Sequence, residues 1–548
     1  MSATNLRAVL AADQELGAGN VLLKLAEHGA DLDVPRVTFD TDVDGIPAWT
    51  PLSLRTLTQR AAARADWFGR HGVKRRDPVA VYVTSAADVI LNFLALNWLG
   101  AIPALMNGSM PDAIAVEFIP RLRPTGVLID AGHAHMAGRD LGAPIIGDAA
   151  ETGTGDPSGA PPHFRHHPDD PVAITHSSGT TRIPAAVVHS NRSLFAAVRA
   201  VRLTEPRQHG PVREMSAFPH AHTAGIIILN EALCNGYELM CLSQQGGAFA
   251  RSGEVILDAI ERWRPTAVFG FAVTWAELAR YDLTTRDVSS VRLWSNSGDC
   301  AHEAHIRRLI AVGSHHAFGK DGTVVSLPGS RFNDCLGSTE MGYGGFQISH
   351  RPGSERYGRC VGKALPFAEI ILVDPETGAQ TPTGEVGMVA MKSPTLAIGY
   401  WNESAATFRT RLNGYYLTGD LMYRDEDGYF YHMDRVSDAV DLGGGDWLYT
   451  ALSEESILKA CPDVRDCTIL AARDEDGSLR TEVLLVLAAE ADPELDRSAE
   501  VRAALGEAAA ALPLRIVTTP EDDLVLGPTG KVRKFLMRQQ LLSGTGAS

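Results

Sequence analysis

Two kinds of apolar periodicity alternate along the first part of the chain, and that alternation narrows the fold more than any single residue does. Leu54, Leu57, Ala61, Ala62, Ala65 and Phe68 recur at helical spacing behind Ser53, a residue type that caps helix starts, and the run ends by Gly72. Asp77-Pro78 then opens VAVYV, a short run of strand composition. A second helical pattern spans Ala86 to Leu99, stops at Gly100 and gives way to strand-like AIPALM. The rhythm returns at VLIDA, AVFGFA and VRLWS. Such alternation builds βαβ units with helices layered on a sheet, so an α/β fold is expected.

At 548 residues the chain exceeds what one hydrophobic core supports, so at least two domains follow. Residues 147–170, rich in Gly, Pro and Asp, read as an exposed loop within a domain. The better boundary is HMDRVSDAVDLGGGD, where three glycines follow a charged stretch and a compact αβ pattern of small-domain size begins. This predicts domains at 1–437 and 438–548 with a hinge near Asp438.

Composition excludes several classes of function. A net charge of −16 argues against sequence-independent binding of nucleic acid or anionic membranes. The seven cysteines are scattered and form no C-x-x-C, which suggests neither a disulfide framework nor a zinc site. The pairs and triplet His133/His135, His163/His166/His167 and His315/His316 lack metal-ligand spacing and read as solvated loop histidines. The N-terminus lacks the basic and apolar regions of a signal peptide, and no apolar run reaches membrane-spanning length. A soluble, cytoplasmic protein is expected, and a homodimer is compatible with the sequence.

Residues 174–190, ITHSSGTTRIPAAVVHS, place a hydroxyl-rich turn around Gly179 after an apolar run. Such a turn approaches phosphates closely with backbone N–H and hydroxyl donors, although it lacks the G-K-[ST] ending of a Walker loop. The segment resembles T-S-G-T-T-G-x-P-K-G, the signature of the acyl-adenylate-forming (AMP-binding) superfamily of acyl/aryl-CoA synthetases, adenylation domains and luciferases. Pro219 to Gly225 resembles P-x-x-H-x-x-G, and Asp334 to Glu340 resembles N/D-x-Y-G-x-T-E. Gly384-Glu385-Val386-Gly387 with Gly399-Tyr400 matches G-E-x-G…G-Y, and Tyr416 to Asp420 matches Y-x-T-G-D. Asp434 to Asp438 resembles the D-R-x-x-D hinge, and Pro528 to Arg533 resembles P-x-x-G-K-x-x-R in tighter spacing.

The resemblance implies a large N-terminal domain of stacked α/β subdomains with a small mobile α+β C-terminal lid. It also implies activation of an organic carboxylate as its acyl-adenylate, with pyrophosphate release. Adenylation brings two anions together and needs cations and donors in the transition state. By resemblance, Ser177, Ser178, Gly179, Thr180 and Thr181 hold the β- and γ-phosphates of ATP, Glu340 binds Mg²⁺, and Thr339, beside Gly337 and Ser338, touches the α-phosphate. Asp420 binds the ribose hydroxyls, Arg435 adds a positive fork near ribose and phosphate, and Lys531 is the catalytic cation that the lid swings in and out about Asp438. His222, with Glu340, is assigned to the catalytic set and sits at the carboxylate pocket. Gly270, Phe271, Met341, Gly342, Tyr343 and Gly344 are the apolar pocket candidates, and Ser297, Gly298 and Asp299 partly match the adenine wall.

Four positions depart from the pattern. Arg182 replaces a Gly, Ala185 and Ala186 replace Lys-Gly, and Leu336 replaces the aromatic that stacks on adenine. Arg182 is the candidate replacement for the missing loop cation. No Asp stands in the Phe218-Pro219-His220-Ala221 segment to pair with an α-ammonium group, so an acyl or aryl acid is preferred over an amino acid. Coenzyme A is the favoured acceptor, with a carrier-protein phosphopantetheine or an amine as alternatives, and a nucleotide- or acyl-binding protein without turnover as a further one.

Overall fold

The computed structural model describes residues 3–177, 183–205, 210–244, 252–318, 323–506, 512–527 and 532–543. Helix α1 (Leu54–Arg70) starts where Ser53 Oγ accepts the Thr56 N–H, and helix α2 (Ala86–Leu99) ends at Gly100, whose φ of 73° closes the last turn. These helices pack beside a sheet built from β1 (Pro78–Val83), β2 (Ile102–Asn107), β3 (Gly126–Ile129), β4 (Ile145–Asp148), β5 (Pro171–His176) and β6 (Ala186–Ser190). β1 to β5 pair in parallel, β6 turns back antiparallel against β5, and the short strand Gly399–Tyr400 adds to the edge of β6.

A second, longer sheet has a parallel centre of β7 (Arg213–Ser216), β8 (Glu238–Cys241), β9 (Ala267–Phe271), β10 (Leu293–Ser297) and β11 (Arg331–Asp334). Helix α3 (Thr223–Asn235) lies in the apolar core between the two sheets, buried along nearly its whole length. That position explains its composition: residues 226–229 are Ile-Ile-Ile-Leu, apolar on all sides. Helix α4 (Glu303–Ile310) belongs to the opposite core of the second sheet. The same sheet continues through antiparallel strands that include β12 (Tyr415–Arg424) and β13 (Phe430–Arg435).

Beyond β13 the chain forms a glycine-tipped hairpin, helix α5 (Thr450–Ala460), a sheet of Val464–Arg473, Leu479–Leu487 and Leu514–Thr518, and the last described helix, α6 (Lys534–Ser543). Most of its apolar residues form clusters of their own, while Ala439 and Tyr449 pack against Val373, Met388 and Leu421. The expected α/β class, with a large sheet-rich part and a smaller C-terminal part, is what the chain adopts.

Two local expectations need correction. Residues 147–170 are not an open loop: they contain the short helical turns Ala149–Thr152 and Pro157–Gly159, and the strap lies against α1. Gly155 passes so close to the Ala63 carbonyl that a Cβ would meet it at 1.8 Å. Nor are all the grouped histidines solvated. His133 and His166 are buried, His133 against Asp130 (2.6 Å) and the Gly108 carbonyl, His166 against the Asn97 carbonyl. Among the described residues no helix is long and apolar enough to cross a membrane.

Candidate active site

The carboxyl ends of the parallel strands carry the motifs to one place, as open α/β sheets do. β5 runs into Ser177, and the hairpin to β6 is closed at its base by two bonds: the Ser177 N–H donates to the Ala185 carbonyl and the Ala185 N–H to Ser177 Oγ, both at 3.0 Å. Ser178, Gly179, Thr180, Thr181 and Arg182, between them, lie outside the described residues, as does Lys531. His176 anchors the start of this loop. Its Nε2 accepts the Asn107 N–H at 3.1 Å, so Nδ1 carries the proton and donates to the Ser177 carbonyl at 3.1 Å. Burial keeps this ring neutral by lowering its pKa.

His222 caps α3: its Nδ1 accepts the Ala224 N–H at 3.2 Å. The remaining ring proton therefore sits on Nε2, which donates to Thr339 Oγ1 at 3.3 Å, while the Thr339 hydroxyl lies 3.4 Å from the His176 carbonyl. The His222 ring meets the Phe271 ring edge-to-face at 4.9 Å. Thus β5, the start of α3, the end of β9 and the 334–340 segment converge on Thr339. Gly270 and Phe271 pair with Asn296 and Ser297 across β9 and β10, and the Gly337 N–H donates to the Gly298 carbonyl at 2.9 Å. Gly298 (φ 88°) makes that turn, and Ser338 accepts the Met341 N–H.

Asp334 is buried beneath this turn. It accepts from Asn296 Nδ2 (2.6 Å), the Ala301 N–H (3.1 Å) and the Cys300 thiol, and burial lifts its pKa to about 6 in spite of these donors. Leu336 and Met341 lie 3% and 0% exposed in one apolar cluster with Cys300 and Phe346. The Met341 side chain is packed within this cluster. Gly342 (φ 72°) and Gly344 (φ 109°) turn the chain on either side of Tyr343.

The β12–β13 register sets Asp420 opposite Arg435, and Arg435 Nε lies 2.8 Å from Asp420 Oδ1. The second partner of Asp420 is His432: Arg359 Nη2 donates to its Nδ1 at 2.8 Å, so its Nε2–H faces Asp420 Oδ1 at 3.3 Å. Burial pushes the Asp420 carboxyl up, and Arg435 and His432 outweigh it to hold the group below the usual carboxylate range. Arg435 is held strongly protonated by Asp420, with Asp299, Tyr416 and Glu340 adding to the negative field around it. Glu340 Oε1 accepts from the Tyr400 hydroxyl at 3.2 Å, which ties the end of the 334–340 segment to the strand Gly399–Tyr400.

Glu340, Thr339, His222, Asp299, Asp420 and Arg435 are thereby grouped. Asp438 is not among them; its carboxylate pairs with Arg538 on α6. Sequence reasoning missed His176, Arg359 and His432. It quoted Tyr400 only as a motif letter. None carries a local signal, since each acquires its partner through strand pairing.

The AMP-binding enzyme family profile matches residues 35–401. The chain belongs to the AMP-binding enzyme family. Within it, the chain is 39% identical over 555 residues to 3-aminoavenalumate diazotase from a Streptomyces species, covering 97% of both chains. It is 27% identical over 484 residues to 4-coumarate–CoA ligase 2 of Oryza sativa subsp. japonica, covering 81% of this chain and 79% of the relative. Its fold resembles that of the anthranilate CoA ligase AuaEII in complex with anthranoyl-AMP, with a TM-score of 0.80, 20% identity and coverage of 98% and 99%. As a member of the AMP-binding enzymes, the chain is an adenylating enzyme that activates an acid, and its substrates include a small-molecule carboxylate.

Proposed function

We propose that this AMP-binding enzyme is an ATP-dependent diazotase of an amino-aryl carboxylic acid. The observation that carries the reading is the 39% identity to 3-aminoavenalumate diazotase over 97% of both chains, against 27% over a shorter stretch for the coumarate ligase. Converting an arylamine to a diazonium adds one nitrogen at the oxidation level of nitrous acid, so nitrite is the oxyanion to be adenylated. Nitrite and ATP give nitrosyl-AMP and pyrophosphate. The amine attacks the nitrosyl nitrogen, expels AMP and gives up a proton; the resulting nitrosamine tautomerises to the diazohydroxide, which takes up a proton and loses water to give the diazonium.

The grouped residues suit the first step. Nitrite and ATP repel each other, and preorganised donors and cations offset that repulsion. Asp420, fixed by Arg435 and His432, would bind the ribose hydroxyls, and Arg435 would face the phosphate. Thr339 and the His222 Nε2–H would face the α-phosphate and the incoming oxyanion. The hairpin residues Ser177 to Thr181, with Arg182, would hold the β- and γ-phosphates, and Lys531 would be the cation nearest the bond that forms. Magnesium prefers few carboxylates together with phosphate oxygens and water, and Glu340 beside Thr339 fits that donor set.

A second reading, adenylation of the organic carboxylate and transfer to coenzyme A, is favoured by the His-containing segment Pro219 to Gly225, common among the ligases. One experiment separates the two. MgATP with nitrite and a panel of amino-aryl acids is assayed for pyrophosphate and for azo dye after coupling to a naphthol; in parallel, carboxylates without nitrite are assayed with and without coenzyme A. Nitrite-dependent pyrophosphate with dye is expected. Pyrophosphate that needs only carboxylate and turns over with coenzyme A would replace the first reading by the second.

A further inference from the structure

A second buried polar group lies beside the nucleotide motifs, on the sheet face covered by α3. Glu214 comes from β7 and Glu231 from α3, and both are nearly fully buried. Arg202 ends the π-helical turn Val198–Arg202, with its Nε 3.0 Å from Glu231 Oε1 and its Nη1 3.3 Å from Glu205 Oε2. Tyr343 packs against the same core, in the electrostatic field of Arg202 and Glu231. It follows Glu340 by only three residues, so the cluster adjoins the adenylation centre. Among the described residues, three buried atoms of the cluster make no hydrogen bond: Arg202 Nε, beside its ion pair, Glu214 Oε2, on a residue 2% exposed, and Ser216 Oγ, two residues on and therefore on the same strand face. Burial and the nearby Glu231 hold Glu214 well above the usual carboxylate range, so it presents an O–H donor. A cation and two hydroxyl donors around unsatisfied buried atoms are the complement of a carboxylate.

We infer that Arg202, Tyr343 and Glu214 form the inner end of the acid pocket and bind the carboxylate of the amino-aryl substrate, with its amine directed to the adenylation centre. The inference rests on the diazotase reading. When the organic acid itself is adenylated, its carboxylate lies at the ATP end and an inner cation has nothing to neutralise. When nitrite is adenylated, the organic carboxylate is carried inward unreacted and needs a buried countercharge. Glu231 and Glu205 hold the guanidinium in place.

The test is equilibrium binding by calorimetry, without nitrite, of 3-aminobenzoate against 3-aminobenzamide and of the matching 3-aminocinnamate pair. The full-length protein and its Arg202→Gln and Arg202→Lys variants are compared. The wild type should prefer the acid by about tenfold or more, Arg202→Gln should lose most of that preference, and Arg202→Lys should retain part of it. Equal binding of acid and amide by the wild type overturns the inference whether or not the variants fold, and so does an undiminished preference in Arg202→Gln. Nitrite-dependent pyrophosphate release is scored separately, so a failed diazotase reading is distinguished from a failed carboxylate site.

Discussion

At the residue scale, Asp420 gathers more of the site's geometry than any other side chain. It is a buried carboxylate whose one oxygen faces both Arg435 and His432. Replacing it by Asn keeps the shape and removes the charge, and the amide cannot satisfy two donors and two ribose hydroxyls together. We expect Asp420→Asn to weaken AMP binding by roughly ten- to a hundredfold in titration calorimetry, about 1.5–3 kcal/mol for charge-assisted bonds. Leu336 makes the opposite point. Its position in the family pattern suggests that restoring an aromatic would tighten adenine binding, yet its side chain is 3% exposed in the cluster with Cys300 and Phe346. Leu336→Tyr should overpack that cluster and cost about 1–3 kcal/mol in denaturant unfolding, with no gain in AMP affinity.

At the scale of elements, local signals were legible wherever one segment decides its own structure. Ser53 and Gly100 mark helix ends that the fold keeps, because capping is settled within a turn. The strap at 147–170 was misread since its order comes from α1, distant in sequence. His432 and Arg359 were invisible for a similar reason: their roles exist only once β13 pairs with β12 and with the strand Cys360–Ala364. The motifs gave the nucleotide side of the site, while the Arg202–Glu231–Glu214 group, which follows no motif, was not legible at all.

Another such junction joins α4 to α5. His302, just before α4, has Nδ1 2.5 Å from Glu455 Oε2 on α5, with Arg359, Asp466 and His305 around it. Burial opposes both charges, but the mutual bond wins: Glu455 is held down at about 2, and His302 is raised above 6.5. The Glu455 contribution is complete above the unfolded value of 4.5 and is lost as pH falls through about 2. The His302 contribution is complete below 6.5 and fades as pH rises through its raised value. The pair therefore stabilises most between pH 4.5 and 6.5. His302→Gln, which leaves Glu455 buried without its cation, should cost roughly 3 kcal/mol there and less as pH rises through the raised His302 value, measured by urea unfolding at each pH.

At the scale of the whole molecule, most apolar clusters lie to one side or the other of the glycine-rich hairpin, although Ala439 and Tyr449 pack with Val373, Met388 and Leu421 across it. Residues up to β13 share large clusters around the two sheets, whereas the C-terminal part packs around residues such as Ile457, Ile469 and Val483. Polar contacts also join the parts, including His302 with Glu455 and Arg280 with Glu521. Parts with mostly separate cores are expected to unfold as two units. Asp420 and Arg435 both precede the hairpin, so AMP should engage chiefly the larger unit. Scanning calorimetry should accordingly resolve two transitions, and AMP at a hundred times its dissociation constant should raise the larger unit's stability by about 2.7 kcal/mol. The smaller transition should barely move. If both shift together, the nucleotide bridges the two parts and the C-terminal part is held at the site in the AMP complex; if neither shifts in Asp420→Asn while the larger does in wild type, the AMP site is the one built on Asp420.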